Sequence, residues 1–351
     1  KNDNDKLDAE TIVVNTIKEI GGSCTKSNLQ EILKWPMYRI DLTISNSYKL
    51  VPWGENQVIL FNDIGLTDEQ KAGLLNLVNR SMTDGYTSIG VVYKELMFDR
   101  HLSALISQKG IDNKSKLAAI IKILKPTLRG HTNFMYEEGC MFTSFEEVIL
   151  HHFNEGASRR EIQNFALEHG YGDIMAGNLL SRLIEQEELI ELDFDLLYPA
   201  HAFEISEEAV NQVIHFIEEQ MKGKEYISLS NLKGYRRKLP SINFRWNPYL
   251  MKSILLKNNY RQINKIYRDY RYDRVLLVKK DSKIQTFEEL VHFVLKEEYS
   301  GNMHEMNVYD FLVEKGVFRE QDYAHNKVLP HEIKGYSNLV NVDNIGIVTL
   351  G

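Results

Sequence analysis

The sequence predicts an α+β fold that is mainly helical, with short β-hairpins, and that is assembled from repeated units. Three observations predict it: amphipathic helices that open on Ser or Thr, short alternating runs around Gly- and Pro-containing turns, and segments that recur about 140 residues apart. With 43% apolar and 26% charged residues, the chain has the composition of a globular protein. Its 351 residues exceed one ordinary core, so several packed units are expected.

The helical signal is clear near the beginning of the chain. The first predicted helix carries its apolar residues on one face, at Ile12, Val13, Ile17 and Ile20. A glycine turn at 21–23 separates it from a second helix, which opens on Thr25 with Asn28 three residues later. This grammar predicts a pair of helices joined by a tight turn.

A β-hairpin is predicted after the helix pair. Segments 48–51 and 57–61 alternate between apolar and polar residues and flank a turn that contains Pro52 and Gly54. Helix, turn, helix and hairpin therefore form one local unit.

Self-similar segments organise the rest of the sequence. The matches are GYTSIGVVYKEL at 85–96 with EYISLSNLKGYR at 225–236, TSFEEVILHHF at 143–153 with QTFEELVHFVL at 285–295, and IQNFALEHG at 162–170 with VYDFLVEKG at 308–316. Their offsets are 140, 142 and 146 residues, a drift that small loop insertions would produce. A repeated architecture is therefore expected.

Helices followed by a two-stranded hairpin, in tandem copies, resemble the winged-helix (helix-turn-helix) superfamily. The resemblance is at the level of the fold, and no signature ties the chain to a particular family. It implies tandem winged-helix-like units packed into one elongated body; the structural alternative is an all-helical solenoid. The predicted units are 1–64, 65–142, 143–205, 206–284 and 285–351.

The charge distribution singles out one segment. Residues 233–280 contain fourteen Lys or Arg and two Asp, a formal charge of +12, whereas the whole chain carries −7. Clustered cations are what phosphate neutralisation requires. Residues 94–129, in the matching earlier copy, contain eight cations and three anions and are only mildly basic.

Eight aromatic residues are interleaved with these cations, which suits stacking on bases or contact with sugar and phosphate. Asn247 followed by Pro248 predicts a helix over about 248–258, and residues 259–281 predict a hairpin with its turn near 269–271. The resemblance makes these a recognition helix and a wing. The candidate nucleic-acid-binding residues are Lys233, Arg236, Arg237, Lys238, Arg245, Trp246, Tyr249, Lys252, Arg261, Lys265, Arg268, Tyr270, Arg271 and Arg274.

Two functions of different class follow. The first is a non-enzymatic nucleic-acid-binding protein, with DNA preferred to RNA, that acts as a regulator or targeting module. The second is a protein-interaction scaffold, in which the basic hairpin docks on an acidic partner, on another subunit or on the chain's own acidic repeats such as 185–193. A neutral solvated face is the remaining reading.

Catalytic, cofactor and metal sites are not expected. His151 and His152 lack metal-ligand spacing, Cys140 has no local partner for nucleophilic chemistry, and the phosphate-binding loops GxxxxGK[ST] and GxGxxG are absent. The acidic run 191–195 fits a half-exposed strand better than a metal site. No membrane span is expected, and two unpaired cysteines suggest a reducing compartment, so a cytoplasmic protein is predicted. Only seven prolines, with many Lys, Asn, Ile and Glu, are compatible with an AT-rich bacterial genome.

Overall fold

The computed structural model describes residues 8–263, 275–318, 327–329, 333 and 338–351. The chain divides into two compact units, of which unit 1 comprises Lys1–Phe153 and Arg160–Leu183, and unit 2 comprises Asn154–Arg159 and Ile184–Gly351. Helices alternate with short antiparallel strands, so the predicted α+β class with β-hairpins is confirmed. The division into five winged-helix-like units remains a prediction.

The first part of the chain contains the two predicted helices and the predicted hairpin, and it adds a short strand between the helices and a third helix before the hairpin, which the sequence analysis did not predict. Thr25 caps the second helix by accepting a hydrogen bond from the Asn28 amide, 3.0 Å away. The elements are α1 (Ala9–Glu19), β1 (Ser23–Thr25), α2 (Lys26–Leu33), α3 (Met37–Asn46), β2 (Leu50–Pro52), β3 (Gln57–Leu60) and a 3₁₀ turn (Phe61–Ile64).

The chain continues to about residue 153 with another group of helices and a hairpin. Thr67 and Gln70 form a reciprocal capping box at the start of α4, because each side chain satisfies the other's backbone amide. The elements are α4 (Asp68–Ser81), β4 (Tyr86–Thr87), α5 (Ile89–Phe98), α6 (Arg100–Gln108), α7 (Lys114–Leu124), β5 (Arg129–His131), β6 (Phe134–Tyr136) and α8 (Phe145–His152).

The remaining elements lead through the basic segment to the end of the chain. They are β7 (Ala157–Ser158), α9 (Arg159–Glu168), α10 (Asp173–Glu185), β8 (Leu189–Glu191), β9 (Leu196–Pro199), a 3₁₀ turn (Ala200–Ala202), α11 (Glu207–Met221), β10 (Tyr226–Ser228), a 3₁₀ turn (Leu229–Asn231), α12 (Tyr235–Lys238), α13 (Pro248–Leu256), β11 (Tyr260–Gln262), β12 (Leu276–Lys279), α14 (Phe287–Glu298), α15 (Glu305–Glu314), β13 (Val340–Val342) and β14 (Val348–Leu350).

Four three-stranded antiparallel sheets among the described residues share one strand order, in which the third strand in sequence lies in the middle. These orders are β1-β3-β2, β4-β6-β5, β7-β9-β8 and β10-β12-β11. The β13–β14 hairpin adds a single bridge from His304 to Ile347. In each sheet the first short strand precedes a helix, and the hairpin follows the helices.

Apolar clusters cross the predicted unit boundaries. In unit 1, Val51 and Ile64 share a core with Leu117 and Ile121 of α7. In unit 2, Ile190 of β8 shares a core with Val213 of α11, with Leu250 and Leu255 of α13 and with Leu277 of β12. Neighbouring predicted units therefore share hydrophobic cores instead of each having its own.

A close contact occurs at matching positions of the sequence repeat. In unit 1, the Ser88 hydroxyl donates to the His169 carbonyl at 2.5 Å, and a side chain on Gly170 would collide with Gly90 and Ser88. In unit 2, the Asn231 amide donates to the Glu314 carbonyl at 3.0 Å, and Gly316 lies against Ser228 in the same way. Both glycines have positive φ, 84° and 71°, which also favours glycine there.

Candidate nucleic-acid interface

Residues 232–246 form a segment of unit 2 in which exposed cations alternate with apolar side chains that pack into the protein. Gly234 takes a left-handed conformation (φ 78°) and opens the short helix α12. Leu239 and Trp246 are buried, and the Trp246 indole donates to the Pro240 carbonyl at 2.6 Å. The exposed cations of this segment are Lys233, Arg236, Arg237, Lys238 and Arg245.

These exposed cations differ in how far they are already engaged. Lys238 lies 4.0 Å from the Glu219 carboxylate and near the Phe216 ring, so part of its charge is compensated. Lys233, Arg237 and Arg245 make no ion pair or side-chain hydrogen bond within the described part of the chain.

Arg236 sits 5.8 Å from the centre of the Tyr235 ring and likewise makes no ion pair with any described residue. We define the basic turn as Lys233, Arg236, Arg237 and Arg245. No described acid compensates the basic turn, which forms a positive surface of the kind that phosphate groups bind.

Helix α13 begins as the sequence predicts. The Asn247 side chain accepts hydrogen bonds from the amides of Tyr249 and Leu250, at 2.9 and 3.1 Å, and Pro248 occupies the first turn. The Asn247 amide also donates to the Leu192 carbonyl at 2.6 Å, which ties the start of the helix to the β8–β9 hairpin.

The expected recognition face of α13 is covered by the β8–β9 hairpin. Lys252 is only 2% exposed and pairs with Glu191, which is 4% exposed and also pairs with Arg159. Ser253 next to it exchanges two hydrogen bonds with the Glu191 backbone, at 3.1 and 3.2 Å. We call Arg159, Glu191 and Lys252 the buried ion cluster. The prediction that Lys252 belongs to the nucleic-acid-binding surface is therefore wrong, because the Lys252 ammonium group is paired with Glu191 inside the protein.

Trp246 is also not part of the predicted nucleic-acid-binding surface, because it is buried. Its side chain is 5% exposed and packs in the core of unit 2 instead of offering a free ring to a base. Tyr249 is half-buried and lies edge-on to Phe194, with ring centres 5.8 Å apart. Trp246 and Tyr249, which the sequence pattern suggested for stacking on bases, thus pack mainly against other side chains of the protein.

Arg261 of β11 is half-buried and braces the backbone. Its guanidinium donates to the carbonyl of Ile284 at 2.5 Å and to that of Ser282 at 3.4 Å. Arg261 thus stabilises the loop between β12 and α14, and these hydrogen bonds account for its position without a bound polyanion. The other candidate residues, Lys265, Arg268, Tyr270, Arg271 and Arg274, lie outside the described residues.

The hairpin around the basic segment is confirmed where it is described. β11 pairs with β12 in antiparallel register, with Tyr260 opposite Lys279 and Gln262 opposite Leu277. Lys279 and Lys280 at the end of β12 are exposed, although the sequence pattern did not distinguish them from the other cations. An alternation of apolar and polar residues along β12 would have indicated which side chains face solvent, but Leu276–Val278 is apolar throughout.

The mildly basic earlier copy compensates much of its charge internally. Lys116 pairs with Asp112 at 2.9 Å, and Lys125 pairs with Glu137 at 2.5 Å. Lys122 donates to the Ser45 carbonyl. Pairing with acids of the same unit therefore accounts for these cations without a polyanion.

The alternative sites offer little chemistry. In the parts of the chain that are described, no three His, Cys, Asp or Glu side chains are grouped to hold a metal ion. His152 stacks on Phe165, with ring centres 4.3 Å apart, and His151 lies 5.2 Å from the Phe142 ring. Both histidines take part in an aromatic cluster, as the structural reading of their spacing predicts.

Bilayer spans are also missing from the described helices, since none of them combines the required length with apolar character. The chain matches no protein-family model, and a comparison with curated proteins found no similar sequence. Sequence, fold and surface chemistry therefore carry the functional inference.

Proposed function

We propose that this protein binds nucleic acid, duplex DNA in preference to RNA, through the basic turn. The observation that carries the proposal is a set of four exposed cations, Lys233, Arg236, Arg237 and Arg245, that no described acid neutralises. Surface cations are normally paired or dispersed in a chain of net charge −7, so four within thirteen residues indicate an anionic partner.

The proposed contact is to the phosphate backbone and not to the bases. A covered α13 cannot enter a groove, because its outer face already packs on β8. Cations on a turn neutralise phosphates and carry little sequence information. The protein would therefore act as a non-enzymatic regulator or targeting module, without a cofactor, in which tandem winged-helix-like units position one backbone-binding surface. The recurring strand order supports this architecture. A cytoplasmic location belongs to the same proposal.

A charge-reversal experiment tests the proposal. Replacing Arg236 and Arg237 by Glu should weaken binding to a 20–30 base-pair duplex and lower the slope of log K against log salt by about 2, since each lost phosphate contact contributes about 0.9. The control variant carries Lys94→Glu and Arg100→Glu, two exposed cations of unit 1 with the same change in charge. Fluorescence anisotropy across a salt series measures both quantities.

Three outcomes decide between the readings. Loss of binding in the basic-turn variant alone supports the proposal. Equal loss in both variants indicates a non-specific response to net charge, and unchanged binding in the basic-turn variant ends the proposal. A single-stranded RNA of equal length distinguishes the preferred duplex from the less favoured partner.

A protein-interaction scaffold is the second candidate, because the helices that would be recognition helices in a winged-helix unit pack against other parts of the protein. In unit 1, α7 packs on β2 through Leu117, Ile120 and Val51. In unit 2, α13 packs on β8 through Ser253 and the buried ion cluster. Both are contacts between a helix and a preceding hairpin. Size-exclusion chromatography with light scattering separates the two functions: the scaffold requires self-association or a protein complex that survives the Arg-to-Glu changes, with no shift on adding DNA.

A further inference from the structure

Unit 1 contains a cavity of about 520 Å³ where the end of α1 meets the β2–β3 hairpin. Small-molecule sites usually fall between roughly 300 and 1,000 Å³ and combine apolar walls with a few convergent polar groups. The cavity lies in the other unit from the basic turn, so what it binds is independent of the proposed function.

A pair of glycines forms one side of the cavity. Gly21 and Gly22 end α1 in left-handed conformations, with φ of 102° and 90°. The amide of Gly22 donates to the Ile17 carbonyl at 2.8 Å, and a side chain on Gly22 would come within 2.5 Å of the Asp63 carboxylate. Glycine is therefore required, and its small size lets Asp63 approach the backbone at the edge of the cavity.

The opposite side is held by a hydrogen-bonded knot. The Glu10 carboxylate accepts from the Ser47 hydroxyl at 2.5 Å and from the Tyr48 amide at 3.1 Å. Ser47 is buried and in turn accepts from the amides of Lys49 and Leu50. The knot fixes the backbone of Tyr48 and Lys49, so their side chains are presented to the cavity from a rigid support.

Polar groups of both signs line the cavity without pairing with one another. Lys18 and Asp63 make no ion pair or side-chain hydrogen bond among the described residues. Lys49 forms an ion pair with Glu10 at 3.5 Å, and its side chain remains 61% exposed to a ligand in the cavity. Asn62, next to Asp63, adds a side-chain amide that makes no hydrogen bond to another described residue.

The apolar part of the lining suits a planar ring. Val14 and Leu60 are 7% exposed and form the floor, while the Tyr48 ring is 51% exposed at the rim and Phe61 is half-buried. An exposed tyrosine on a fixed backbone offers a stacking surface at little entropic cost.

We propose that this cavity binds a nucleoside monophosphate. The Lys18 and Lys49 ammonium groups would receive the phosphate, Tyr48 and Phe61 would contact the base, and Asp63 and Asn62 would accept hydrogen bonds from ring or sugar donors. Two ammonium groups match one phosphate dianion.

Isothermal titration calorimetry with adenosine 5′-monophosphate on the full chain tests the site. Saturable binding of one ligand per chain is expected, and adenosine alone and inorganic phosphate alone should each bind at least roughly tenfold more weakly, because each engages only one end of the site. Changing Lys18 and Lys49 together to Ala should weaken binding by roughly tenfold or more. The matched control changes Lys94 and Arg100 to Ala and should bind as the parent does.

Chemical-shift mapping keeps the test decisive if a variant folds poorly. Addition of the monophosphate to the unmodified protein should move the amide signals of Gly22, Tyr48 and Asp63 and leave the basic turn unmoved. No saturable binding, phosphate binding as tightly as the monophosphate, or shifts centred on the basic turn would overturn the assignment. Loss of duplex binding in the Arg236 and Arg237 variant with monophosphate binding intact confirms that the two sites are separate.

Discussion

Replacing Lys252 by Met removes one ammonium group from the buried ion cluster and keeps most of the apolar stem. The Glu191 carboxylate, 4% exposed, then retains Arg159 but loses its second cation. Breaking a buried ion pair costs about 3–5 kcal/mol, because one charge remains in a medium that solvates it poorly. We expect the lower end, about 3 kcal/mol, since Arg159 still compensates part of the charge.

Urea unfolding followed through Trp246 measures this loss in the part of the molecule that matters. Trp246 is buried in the same core as α13, so its fluorescence reports on that core once Trp35 and Trp53 are changed to Phe. The control is Lys257→Met, which removes the same charge from an exposed position at the end of α13 and should change the free energy of unfolding by less than about 0.5 kcal/mol.

A double-mutant cycle isolates the pair itself. Glu191→Gln removes the charge that Lys252→Met leaves behind, so the two changes together should cost clearly less than their sum. The reasoning is refuted if Lys252→Met costs no more than Lys257→Met, or if the two losses simply add. Duplex affinity, corrected for the folded fraction, should be the same for Lys252→Met and the parent.

Further predictions concern the glycine contacts and the Glu10 knot. Gly170→Ala should destabilise the protein by about 2 kcal/mol more than Gly223→Ala in chemical denaturation, since both glycines have positive φ but only Gly170 has backbone within reach of a new side chain; equal effects would assign the loss to strain alone. Burial raises the pKa of Glu10, but hydrogen bonds from Ser47 and Tyr48 and the charge of Lys49 outweigh it and lower the pKa below its ordinary 4.5. The Glu10 carboxylate thus stabilises the fold above that value, and its contribution is lost as the pH falls through the folded-state pKa. Glu10→Gln should therefore be less stable than the parent at pH 7 and approach it at pH 3, in urea midpoints measured at both; an unchanged gap would contradict the assignment.

Local elements were predictable from the sequence because their causes are local. Asn247 followed by Pro248 specifies the start of α13 within the residues that form it, and Thr25 does the same for α2. The matched segments at 85–96 and 225–236 also marked positions that make equivalent contacts, because Ser88 lies against Gly170 and Ser228 lies against Gly316. Hydrogen-bonding side chains and glycines at fixed spacing leave a readable pattern.

Partners distant in sequence could not be read in this way. Nothing near Lys252 shows that its side chain meets Glu191, which lies 61 positions earlier, or that an exposed-looking helix face is covered. A lysine among arginines reads as a surface cation, and only the fold reveals that it is internal. The sequence shows the charge of the basic segment directly, but it does not show which of these cations are exposed and which contact the protein's own backbone or acids.

The buried ion cluster also links the folding of the basic segment to residues that precede it in the sequence. Arg159 and Glu191 leave the ribosome before Lys252 does, so the acid that receives the lysine is already present when α13 forms. A fragment that begins at residue 206 reverses this situation: it carries Lys252 into an apolar core with no carboxylate to meet it. Expression of the basic segment alone is thus expected to give an aggregating or protease-sensitive product, and a well-behaved fragment must begin upstream of Ala157.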